Sequence, residues 1–142
     1  MRSDWLLLTP LAPFGDAGLL LLRLVTGAFL VWQSHDNILS AARMDEFEAF
    51  LSKFGFWAPN LMAPLCVWAQ FLCGIAFILG FATRWAGIVT SFVFIIAVWM
   101  VHWEKDFPGW WPALILVFLG LLFATVGPGR FAIDHVIERR SR

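Results

Sequence analysis

The sequence predicts an all-α integral membrane protein, a four-helix antiparallel bundle with a short amphipathic segment between helices one and two. Three observations lead there. Of the 142 residues 61% are hydrophobic and only 14% charged, against about 25% charged in ordinary soluble domains. Fifteen Phe and nine Trp are more than a soluble core of this size holds, so apolar surface has to face lipid. Apolar runs recur four times, each near the roughly 20 residues that a helix needs to cross a bilayer. A chain of this length makes one domain, residues 1–142. Its net charge of zero implies no nucleic-acid partner.

Residues 1–16 carry Trp5, a Leu run, Pro10 and Pro13, and two prolines break any long helix there. The segment reads as an interfacial lead-in. The apolar run that follows carries Arg23 and lacks a small-x-small cleavage site, which favours a retained helix over a removed leader. Asp16 is placed to cap helix one, about residues 17–34. Arg23, Thr26, Gly27, Leu30 and Gln33 recur at three- and four-residue steps, so they share a face that should point into the protein.

The longest polar stretch, residues 34–57, carries Phe47, Phe50, Leu51 and Phe54 on one helical stripe with Asp45, Glu46, Glu48 and Ser52 off it. Such a helix either lies on the membrane surface or caps the bundle end. Helix two spans about 59–81 without a charged residue, with Gln70 near its middle. An unpaired amide in hydrocarbon costs several kcal/mol, so other helices must satisfy Gln70. Cys66 and Cys73 lie in the same helix about 10.5 Å apart, beyond the ~7 Å reach of a disulfide, and read as packing residues.

A connection of a few residues forces helix three, about 86–101, antiparallel to helix two. Helix four follows a charged loop and runs about 110–126, with Gly120 and Ala124 forming a small-xxx-small contact. GPGR at 127–130 ends it: the glycines supply the turn and Pro128 stops continuation. Four crossings place both termini on one side with Arg2, Arg84, Arg130, Arg139, Arg140 and Arg142, while Arg43, Lys53 and Lys105 face the other. The positive-inside rule makes the Arg-rich side cytoplasmic. Trp32, Trp57, Trp99, Trp103, Trp110 and Trp111 crowd the outer boundary as an aromatic belt.

Three pieces carry a family resemblance: LLLRLVTGAFLVWQ (20–33), WAQFLCGIAFILGFATRWAG (68–87) and GPGRFAID (127–134). With their spacing they cover about residues 18–136, and the chain resembles the DoxX family of small four-helix membrane proteins. GPGR followed closely by Asp134 is the most specific part. The resemblance implies a bacterial inner-membrane protein linked to quinone redox chemistry, similar to the DoxD-type membrane subunit of thiosulfate:quinone oxidoreductase. Relatives often carry Glu where this chain has Gln70, so the resemblance does not bring a proton-relay role to that position.

Several residues are candidates for chemistry. A cation inside a spanning helix is a functional-site hypothesis by default. Arg23 is expected to pair with Asp134, or with Asp16 on its own helix, or to meet a lipid headgroup or a quinone carbonyl. Thr83, Arg84, Gly127, Pro128, Gly129, Arg130 and Asp134 form the structural signature, with Arg84 and Arg130 as membrane-face anchors and loop locks or as contacts to lipid phosphate. Gln70 is expected either to bond Gln33 or Thr26 across helices, or to line a cavity for a quinone with Trp68, Phe71 and Trp99 as aromatic walls. His35 and His102 sit at helix ends beside Asp36 and Glu104, where they could hold a metal, relay protons to a quinone, or merely lie in the interface.

No catalytic residue and no metal ligand set is assigned, and haem is not expected. Whether the protein is itself an enzyme is left open. The function expected is that of a membrane subunit or accessory of a quinone-linked redox system, working in the lipid bilayer with another subunit or as a homo-oligomer. The alternatives are a non-catalytic assembly or scaffold protein, and a small-molecule permease.

Overall fold

The computed structural model describes residues 8–141. Arg2, Trp5 and Arg142, to which the sequence assigns places at the membrane face, lie outside them. After a 3-10 turn at Thr9–Phe14, the helices are α1 (Gly15–Leu39), α2 (Ala41–Lys53), α3 (Pro59–Leu79), α4 (Thr83–Ala97), α5 (Phe107–Val126) and α6 (Ile133–Arg140). A π-helical turn at Val98–His102 extends α4. Among the described residues there is no strand, and four helical stretches are long and apolar enough to cross a membrane: α1, α3, α4 with its π turn, and α5.

The helix ends follow local chemistry. α1 begins at Gly15 with Phe14 at its N-cap position, so Asp16 does not cap it as expected. α1 also runs five residues past Ser34, whose hydroxyl donates back to Leu30 O at 2.6 Å within the helix and does not cap it. The break comes at Ser40, extended at φ −129°, whose hydroxyl accepts the Arg43 N–H and caps α2. α3 starts on Pro59, whose missing N–H costs nothing there, and ends on Gly80 in the left-handed region. α4 and α5 each begin three residues before the sequence-based positions, at Thr83 and Phe107. The chain after the GPGR turn, for which the sequence predicts no helix, forms α6.

The bundle is built from two intimate pairs, α1 on α3 and α4 on α5, and α3 touches α4 less extensively. Glycines set both close approaches. A Cβ on Gly27 would stand 2.6 Å from Gly74 O, and a Cβ on Gly87 would stand 2.5 Å from Gly120 O. Gly120 does meet α4 as the small-xxx-small pattern predicts, with Ala124 against Gly87. Ser91 Oγ donates to Val117 O at 3.0 Å across the second seam. Phe77 and Phe123, both fully buried with rings 4.7 Å apart, join the two pairs.

α2 resolves the two readings of the amphipathic segment. Leu51 is buried, Phe47, Phe50 and Phe54 stack along the same stripe, and the helix packs on α1 and α3, so it caps the bundle end. Trp32, Trp57, Trp99, Trp103 and Trp111 are exposed at that same end.

Backbone-to-backbone packing at glycine makes a specific demand. Gly27→Ala and Gly87→Ala should each lower stability by about 1–3 kcal/mol, read as the unfolding midpoint in detergent. Gly18→Ala, where nothing lies within 4 Å, should leave the midpoint unchanged or raise it.

Candidate functional site

Polar chemistry gathers at the two opposite ends of the bundle. At the end holding α6, Arg23 is 1% exposed and each nitrogen of its guanidinium donates to a backbone carbonyl. Nε donates to Phe77 O at 2.9 Å, Nη1 to Pro128 O, and Nη2 to Phe131 O at 2.9 Å. Phe77 O belongs to the last turn of α3, where carbonyls lack intrahelical partners and the helix dipole is negative. One α1 side chain thereby ties together the end of α3 and the loop after α5.

The expected Arg23–Asp134 clamp does not form, because Asp134 is committed elsewhere. Its carboxylate accepts the N–H groups of Ala82 at 2.7 Å and Thr83 at 2.8 Å, capping α4 from a different helix, and its own N–H donates to Gly80 O at 2.9 Å. A carboxylate at a helix N-terminus satisfies free N–H groups and opposes the dipole. Asp16 is not the partner of Arg23 either: it accepts Arg130 N–H at 3.1 Å, with Arg130 Nε 3.8 Å away. Arg84 Nη1 donates to Ala124 O and Thr125 O at 2.8 and 2.7 Å, closing the end of α5.

Glycine makes this knot possible. Gly80, at φ +67°, has Ala132 and the Arg23 guanidinium where a side chain would stand, and Gly127, at φ +89°, lies under Arg84. The signature residues Thr83, Arg84, Gly127, Pro128, Gly129, Arg130 and Asp134 therefore meet in one place.

At the opposite end, a half-open cavity of about 460 Å³ lies between α3 and α4 with α2 over it. Its walls are apolar, with Phe47, Phe50, Phe56, Phe92 and Phe94 among them. The polar groups on it are Gln33, Gln70, His102 and Lys105, together with the Cys66 thiol. Gln33 Nε2 donates to Gln70 Oε1 at 2.7 Å, and Gln70 Nε2 donates to Cys66 Sγ at 3.1 Å. Gln70 is thus paired across helices with Gln33, not with Thr26. His102 Nδ1–H donates to Ala97 O at 2.9 Å, a carbonyl five residues back that lies just before the π turn.

The structure brings Gln33, Gln70 and His102 to one cavity and leaves the other candidates outside it. Arg23 is buried in the knot. Trp68 is 46% exposed and packs edge-on to Phe71, and neither of them nor Trp99 lines the cavity. His35 does not line it either; its ring nitrogens lie 2.5 Å from Trp32 O and 2.9 Å from Asp36. Among the described residues no cluster of His, Cys, Asp and Glu is arranged to hold a metal. Sequence reasoning missed Cys66, Lys105 and the phenylalanines as walls. The Phe47–Phe54 stripe was the available signal, since it needed something apolar to cover.

A family model described as DoxX matches residues 18–103, from the first turns of α1 to just beyond the π turn. The chain belongs to the DoxX family. No curated protein and no solved structure matches the chain in the corresponding comparisons. The DoxX match takes in Arg23, both cavity glutamines, the turn at Gly80 and His102. The Gly127–Asp134 half of the knot lies beyond it. With four spanning stretches, this is a multi-pass membrane protein.

Removing the guanidinium strands three carbonyls in a buried site, at about 1–3 kcal/mol each. Arg23→Met should therefore cost about 3 kcal/mol or more in the detergent unfolding midpoint, and Arg23→Lys should recover only part, since one ammonium cannot bridge the three. Asp134→Ala should cost about 1–2 kcal/mol through loss of the α4 cap.

Proposed function

We propose that this DoxX-family protein is the membrane subunit of a quinone-linked redox system, and that the cavity between α3 and α4 takes the quinone. The observation that carries this reading is the pairing of Gln33 with Gln70 at a mostly apolar, half-open cavity of about 460 Å³. Ligand pockets have this make-up, apolar walls with a few polar groups that fix orientation, and this volume lies in the usual range for small molecules.

The donor set fits the group. Amides offer an N–H to a carbonyl and an oxygen to a hydroxyl, so Gln33 and Gln70 could hold either redox form of a quinone without any ionisation of their own. The phenylalanine walls exclude water and suit a flat ring and the start of an isoprenoid tail. His102, with Nδ1–H donating to Ala97 O, keeps Nε2 for a hydrogen bond near the bundle end. Bound there, a quinone would supply the two-electron, two-proton acceptor that these side chains lack, and a separate protein partner would carry the redox centre that feeds it.

In this reading the membrane is the bacterial inner membrane. Arg84, Arg130, Arg139 and Arg140 at the α6 end favour a cytoplasmic position for both termini under the positive-inside rule. The cavity, with Arg43, Lys53 and Lys105 near it, then opens towards the outer leaflet.

Native mass spectrometry and the ultraviolet spectrum of detergent-purified protein test the reading. The wild type should retain or rebind quinone, and Gln33→Leu/Gln70→Leu should keep its fold while quinone affinity falls about tenfold, the worth of one to two hydrogen bonds. A wild type that binds no quinone, or a double variant that binds it equally well, sinks the proposal. A quinone-free protein that co-purifies with one partner would instead support the scaffold reading.

A further inference from the structure

The second cavity lies at the other end of the molecule and plays no part in the reading above. It holds about 240 Å³ and is lined by Ala82, Arg84, Trp85, Pro128, Asp134, Ile137 and Glu138. Asp134 is spent on the α4 cap. Two charged groups on the wall keep free valences. Arg84 is locked through Nη1 to two carbonyls, and its Nε and Nη2 have no partner among the described residues. Glu138, one helical turn beyond Asp134, is exposed, and its carboxylate has no partner among the described residues.

The rim is apolar and faces outward. Trp85 is 72% exposed, and Phe81, Phe131, Ile133, Val136 and Ile137 are also exposed. Ile133, Val136 and Ile137 share one stripe of α6 by their three- and four-residue spacing. Because Asp134 staples α6 to the start of a spanning helix, that stripe is held at the level where acyl chains meet headgroups. A cavity at this level with a fixed guanidinium, a free carboxylate and a tryptophan offers one place for a phosphate, one for an ammonium and one for the glycerol-level interface.

We propose that this cavity is a binding site for a zwitterionic phospholipid of the phosphoethanolamine type, with the phosphate on Arg84, the ammonium on Glu138 and the acyl chains over Trp85 and the α6 stripe. An anionic headgroup such as phosphatidylglycerol would also satisfy Arg84 but would leave Glu138 facing it as a like charge. The surrounding Arg130, Arg139 and Arg140 pull the other way, towards anionic lipid, so the preference rests on Glu138.

The test uses the full-length protein in detergent, offered equal amounts of phosphatidylethanolamine and phosphatidylglycerol, with retained lipid read by native mass spectrometry. The wild type should keep phosphatidylethanolamine in excess. Glu138→Gln should abolish that excess, and Glu138→Lys should reverse it in favour of phosphatidylglycerol. Glu138 is exposed, so the unfolding midpoints should match. Soluble phosphoethanolamine should fail to displace the lipid, because the rim contributes through the chains. Equal retention by the wild type, a preference for phosphatidylglycerol, an excess that survives Glu138→Gln, or displacement by soluble phosphoethanolamine would each overturn the proposal.

Discussion

A guanidinium with no counter-ion in contact, inside an apolar bundle, sets the terms for everything around it. Taking a cation out of water costs several kcal/mol even after relaxation, and the protein offsets that cost for Arg23 with oriented carbonyl dipoles. Three acceptors come from two stretches of chain that must arrive together: Phe77 O at the end of α3, and Pro128 O and Phe131 O in the loop after α5. The turn geometry of Gly80 and Gly127, the N–H groups that Asp134 caps and the carbonyls that Arg84 closes all follow from bringing those stretches within reach. The chain uses its anionic partner on a helix N-terminus and its cation near a helix C-terminus, so each charge meets the dipole end that favours it.

Tying the bundle at one end leaves the other free to differ. The Gly27–Gly74 and Gly87–Gly120 approaches hold α1 to α3 and α4 to α5. α3 and α4 are joined by a three-residue turn at the knot and have no comparable glycine contact between them. Away from the knot a gap opens between those two helices, and α2 covers it with Phe47, Phe50 and Leu51. The cavity therefore follows from where the tight contacts were placed, and its polar lining is confined to groups that need no counter-ion in hydrocarbon except at the mouth.

Much of this was legible in the sequence. Apolar runs and their spacing predict the four spanning stretches, and Arg23, Thr26, Gly27 and Leu30 do face inward, whereas Gln33, expected on the same face, is exposed. The need to satisfy Gln70 predicts a partner, and Gln33 is one of the two named. The failures have one physical source. An arginine was expected to seek a carboxylate, but buried carbonyls at helix ends are acceptors too, and a sequence does not display them. The same blindness gave Asp16 to its own helix when its carboxylate reaches Arg130, 114 residues away. Trp68 was expected at the cavity because aromatic rings suit a flat ligand, yet it lies on the exposed face of α3, as the period of 3.6 places a residue two positions from Gln70. The π turn before His102 has no sequence signature.

The amide pair constrains what the cavity can do. A carboxylate at position 70, on a helix whose other residues from 60 to 82 carry no charge, would need either a counter-ion or a proton, and holding it ionised would be expensive. The pair Gln33–Gln70 removes that demand and keeps hydrogen-bonding capacity on the α3 side of the gap. What it gives up is proton exchange. The basic groups lining the cavity are His102 and Lys105, at or beyond the end of the π turn, where water is within reach. The amides and the ionisable side chains thus occupy different parts of the cavity, Gln33 and Gln70 on the α1–α3 side and His102 and Lys105 at its mouth.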